Sequence, residues 1–70
     1  MKYTIIIEKA EGNFSAYCPD VPGCVATGKT EEETLDRMKE ALEFHLEGLR
    51  EIDMEVPQHR AIVREVEIRI

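Results

Sequence analysis

The sequence predicts an α+β domain of order β-β-β-α-β: an antiparallel-rich four-stranded sheet with one long helix packed on one face. Three observations predict it. Three short β-rich segments are separated by turn residues before position 30, and a long stripe of apolar residues at helical spacing follows a capping signal at Thr30. A last segment, Ile62 to Ile70, carries apolar residues at every second position with one exception.

Tyr3-Thr4-Ile5-Ile6-Ile7 is β-branched and aromatic, which makes it the first strand, with Tyr3, Ile5 and Ile7 on one face. Ala10-Glu11-Gly12-Asn13 is a turn, and Phe14 to Cys18 is the second strand, close enough to the first to form an antiparallel hairpin. Pro19-Asp20-Val21-Pro22-Gly23 must be a loop, because its two prolines lack the N–H that a sheet ladder needs. Pro22-Gly23 fits the centre of a type II turn, where glycine supplies the positive φ. Cys24 to Thr27 is a third strand, ended by Gly28.

Thr30 and Glu33 form a capping box, and Glu31, Glu32 and Glu33 put negative charge on the positive end of the helix dipole. Leu35, Met38, Leu42, Leu46, Leu49 and Ile52, with Ala41 beside them, make one stripe, so the helix runs from about Glu31 to Glu51. Gly48 weakens it from within, and Pro57 prevents its continuation. Ile62, Val66, Ile68 and Ile70 share one parity and read as a fourth strand.

Seventy residues lead to the expectation of a single domain, 1–70, without a C-terminal DNA-binding domain. A chain of this size buries only about 60% of its unfolded surface, so it gains from a disulfide, a metal or self-association. Four strands at a spacing of about 4.8 Å make a sheet about 19 Å wide, whereas one helix covers about 10–12 Å. Much of the sheet therefore stays uncovered, and its edges offer unpaired backbone groups. The expectation is a homodimer or higher homo-oligomer, formed through a strand or through the uncovered face. The alternative is a monomer with exposed apolar surface.

Fifteen acidic against nine basic residues give a net charge of -6, which disfavours a phosphate backbone as partner and suits either a basic protein or simple solubility. No run reaches the roughly 18 apolar residues of a membrane span, and no signal peptide follows Met1-Lys2, so the expectation is a cytoplasmic protein without membrane contact. Cys18 and Cys24 are close enough in sequence for a disulfide but are more commonly free in such a compartment. With His45 and His59 they match no zinc-ligand spacing, and no cofactor or metal is expected. Cys18, Asp20, Cys24, His45 and His59 exhaust the candidates for catalysis; none shows a nucleophile, base and orienting group in a recognisable spacing, so no catalytic residue is assigned.

Phe14-Ser15-Ala16-Tyr17, Pro19-Asp20-Val21-Pro22-Gly23-Cys24, Gly28-Lys29-Thr30, Glu32-Glu33, Lys39-Glu40-Ala41-Leu42, His45-Leu46 and Val56-Pro57 together resemble the HicB family of type II antitoxins. The Pro-Asp-x-Pro-Gly-Cys string followed by Gly-x-Thr-x-x-Glu is the specific part. Each motif residue (Pro19, Asp20, Pro22, Gly23, Cys24, Gly28, Thr30, Glu33) also has a structural reading. The glycines shape turns, Asp20 bonds nearby loop amides, and Thr30 and Glu33 cap the helix. The resemblance implies a non-catalytic domain that binds a small basic HicA-type toxin and covers its active site. That toxin would cleave mRNA with a histidine. Ribonuclease H, part of whose fold such domains resemble, needs clustered carboxylates that Asp20 alone does not supply. Many family members also carry a C-terminal DNA-binding domain, which is not expected here. Exposed helix acids such as Glu40, Glu43 and Glu47 are possible toxin contacts or a solvated face. The competing reading is a solitary homo-oligomeric scaffold or small-ligand-binding module of the same fold.

Overall fold

The computed structural model describes all 70 residues. β1 (Ile6–Ala10), β2 (Asn13–Tyr17) and β3 (Val25–Gly28) form an antiparallel sheet in that order, and α1 (Glu31–Glu51) follows. Ala10 pairs with Asn13, so Glu11-Gly12 is a two-residue hairpin loop, with positive φ (86°) at Gly12. β1 starts three residues later than the β-rich run Tyr3–Ile7 suggests, and the reason lies across the ladder. Ile6 opposes Tyr17, and carrying that register back opposes Thr4 to Pro19, which has no N–H to give. Tyr3 and Ile5 nevertheless pack, with Ile7, against the core.

The core is small: Ala16, Cys18, Val21, Cys24, Met38 and Leu42 are its buried apolar residues. Met38 and Leu42 come from the helical stripe, and Thr34, one turn before Met38, is fully buried beside β3. Gly28 does not serve a turn. A Cβ there would lie 2.6 Å from Thr34 Oγ1 and 3.0 Å from its main-chain nitrogen, so its absence lets α1 approach the end of β3. At the start of α1, Glu33 N donates to Thr30 Oγ1 (3.0 Å), and Thr34 Oγ1 donates to the Thr30 carbonyl (2.7 Å). The Glu33 carboxylate accepts from the main chain of Lys29 rather than Thr30 (3.4 Å), one residue earlier than the usual reciprocal bond. The helix closes with Asp53 left-handed (φ 58°), Asp53 N bonding the Arg50 carbonyl and Met54 N that of Leu49.

The expected fourth strand does not form; the sheet has three. Residues 57–61 are fixed instead at the end of the sheet. Tyr3 Oη donates to the Pro57 carbonyl, and Ala61 N donates to Asp20 Oδ2 (3.1 Å). Asp20 follows β2, and beyond Ala61 the chain forms no ladder with the free edge of β1. Residues 62–70 are all exposed. The radius of gyration is 13.9 Å, against about 11 Å for a compact chain of this length.

Candidate functional site

Three surfaces stand out once the fold is assembled: the motif loop with the root of the tail, a groove beside β1, and the outer face of α1. In the loop, Val21 N donates to the Cys18 carbonyl (3.1 Å), and Cys24 N donates to the Val21 carbonyl (3.4 Å) across Pro22-Gly23. Gly23 has a φ of 84°, which a side chain would strain. Pro19, Pro22 and Gly23 are exposed, while Val21 and Cys24 turn into the core.

Asp20 bonds no nearby loop amide, contrary to the expectation for a turn aspartate. Its Oδ2 accepts from Ala61 N and stands 3.2 Å from His59 Nδ1. Its side chain is only 12% exposed. That burial by itself raises the carboxyl pKa, but the main-chain N–H groups of Ala61 and Arg60, with His59, outweigh it and hold the carboxyl below its usual 3.8. The signal missed in the sequence was the tail itself, which supplies the amides that the loop does not.

Cys18 and Cys24 are buried free thiols. Burial, with Cys18 beside it, pushes the Cys24 thiol up, the opposite of what a nucleophilic thiolate needs. His45 is half-buried on the helix, and His59 lies at the tail root, so among the catalytic candidates the structure brings together the two buried thiols, Cys18 with Cys24, and, separately, Asp20 with His59. No three His, Cys, Asp or Glu side chains converge as a metal cluster.

The groove has a volume of about 450 Å³ and opens between residues 1–5 and α1. Met1, Tyr3 and Ile5 form one wall, and Leu35, Leu42 and Leu46 the other. It exists because α1 lies chiefly over β3 and β2 and touches β1 least. Asp36, Lys39 and Glu43 stand at its rim.

On the face of α1 turned away from the core, Glu40, Phe44, Glu47 and Glu51 recur at spacings of three and four and form one exposed stripe. Phe44 is 82% exposed amid these carboxylates. Sequence reading passed over it because it lies off the apolar stripe, although an aromatic on the polar face of a helix was a signal in itself.

The family model for the HicB-like antitoxin of bacterial toxin–antitoxin systems matches residues 3–68. The chain belongs to that family. Among its relatives, a UPF0150 protein of Thermoplasma acidophilum is 40% identical over 62 residues, covering 87% of this chain and 90% of its own. A UPF0150 protein of Synechocystis is 35% identical over 69 residues, covering 97% and 87%. An uncharacterised 14.9 kDa protein of Haemophilus phage HP1 is 44% identical over 62 residues; the match takes in 89% of this chain but only 47% of the phage protein. No solved structure matches the chain. No helix of this HicB-like domain is long and apolar enough to cross a membrane.

Proposed function

We propose that this HicB-like domain is an antitoxin that binds a small basic HicA-type toxin in the cytoplasm and neutralises it by covering its active site, without catalysis of its own. The observation that carries this reading is the outer stripe of α1. An exposed phenylalanine set among Glu40, Glu47 and Glu51 combines an aromatic anchor with an acidic surround. Aromatic side chains supply much of the energy of protein interfaces, and complementary charge speeds the encounter with a basic partner. A nuclease surface that holds an RNA backbone must be basic, so an acidic protein face competes for the same ground.

The test is co-expression with a small basic protein encoded beside it. Growth arrest by that protein alone, relieved by the native chain and not by Phe44→Ala with Glu40→Lys and Glu47→Lys, would support the reading. Absence of any complex between the two would overturn it.

A second reading concerns the domain by itself: it works as a homo-oligomer. The exposed residues 62–70 favour it, because Ile62, Val66, Ile68 and Ile70 stand 69–119% exposed on a segment with no ladder partner. Sedimentation at micromolar concentration tests this. A species no larger than the 8.1 kDa chain would end it.

A further inference from the structure

Strand β1 is an edge strand, its outward N–H and C=O groups unpaired. Beside it the groove exposes apolar side chains of residues 1–5 on one wall and of α1 on the other. A sheet of three strands thus ends where a fourth would both complete the ladder and fill the groove. The chain carries a segment with the properties of that fourth strand. In residues 62–70 the even positions read Ile62, Arg64, Val66, Ile68, Ile70, and the odd ones Val63, Glu65, Glu67, Arg69. One face is apolar apart from Arg64, and the other is mostly charged, as for a strand that packs on one side and meets water on the other.

Within one molecule the two are not united. Ala61 is tied to Asp20, which follows β2, and residues 62–70 stand exposed without joining the sheet of their own chain. We propose that residues 62–70 of one copy add as a fourth strand to the β1 edge of a second copy, seating Val66, Ile68 and Ile70 in its groove. This rests on the self-association proposed above and on nothing concerning a toxin.

Charge and size agree with a second copy as occupant. Arg64 shares the apolar face of the tail, and the groove rim offers the carboxylates of Asp36 and Glu43 against the single ammonium of Lys39. Reciprocal exchange closes at two copies, as a two-fold interface does. Nine groove residues and the nine tail residues from each copy approach the about 20–30 residues a side of a standard stable interface.

Sedimentation of the full chain and two variants tests the proposal. Ile68→Pro removes a main-chain N–H from a residue that is 69% exposed, and Leu35→Glu places a charge in the groove on a partly exposed helix position. Retention of the helical circular-dichroism signal of α1 in both variants verifies that the domain remains folded. The expected result is twice the 8.1 kDa chain mass for the native protein, and at least a tenfold weaker self-association for each variant. A monomeric native chain would overturn both self-association and strand exchange. A native dimer unaffected by Ile68→Pro would overturn strand exchange and leave self-association standing. A dimer lost in Ile68→Pro but intact in Leu35→Glu would overturn the groove as the tail's destination.

Discussion

Asp20 and Ala61, 41 residues apart in sequence, meet through a 3.1 Å hydrogen bond from the main-chain nitrogen to the carboxylate. The contact joins the most distinctive loop of the chain to the root of its tail, and the exposed residues 62–70 begin just beyond it. The ionised carboxylate is the better acceptor, which is why the folded protein holds Asp20 below its usual 3.8.

The pH dependence follows from that direction. A carboxyl whose folded pKa is depressed contributes stability that is fully present above its unfolded pKa and is lost as pH falls through the folded one. The tail root should therefore be held from neutral pH down to about pH 4 and released below it. Amide exchange at Ala61, or proteolysis of the tail, measured across this range should show the release. In Asp20→Asn the acid-dependent part should vanish, with faster exchange at neutral pH. Equal protection of Ala61 in both proteins at pH 7 would show that the carboxylate does not hold the tail.

How far the fold could be read from the sequence depended on whether each signal was local. The helix Glu31–Glu51 was legible to the residue, since the cap at Thr30 and the apolar stripe both act within a few turns. β1 was misplaced because its limit is set by Pro19 across the ladder, not by its own residues. The tail was read as a strand of the same sheet. Its alternation is real, but alternation states that a segment suits pairing and does not name the partner. Gly28 looked like a turn residue because the helix residue that crowds it, Thr34, lies six residues further on. Asp20 was identified as a motif residue, whereas its partners, Ala61 and His59, have no local relation to it.

Gly28→Ala should destabilise the domain. The added methyl would meet not only Thr34 Oγ1 but also the Thr34 main-chain nitrogen at 3.0 Å and Cα at 3.2 Å, and a helix backbone cannot yield as a side chain does. Overpacking of this kind costs about 1–3 kcal/mol. The urea midpoint should fall accordingly. Adding Thr34→Ala should not restore it, because the backbone contacts remain. Full rescue by that second change would mean that only the hydroxyl was in the way.

Thr30→Ala should cost about 1 kcal/mol, the usual value of an N-cap. The bond lost is the one from Glu33 N to Thr30 Oγ1, which answers an otherwise unpaired donor in the first turn. Thr30→Ser keeps the oxygen in place and should retain most of the stability. The comparison by thermal unfolding separates the cap from the methyl group: if Ser and Ala fall equally, the hydroxyl bond contributes nothing.

Gly48→Ala should stabilise the protein. Gly48 lies inside α1, and a methyl built there meets nothing within 4 Å. The substitution therefore changes only backbone freedom and helix propensity, worth about 1 kcal/mol in a helix interior. For a chain of this size that gain raises Tm by about 4–8 °C. The measurement needs equal protein concentrations, because self-association makes Tm depend on concentration. A fall in Tm would show that the open space above Gly48 is occupied in solution, which would place a contact of the assembled protein on the C-terminal half of the helix, two turns or less from Phe44.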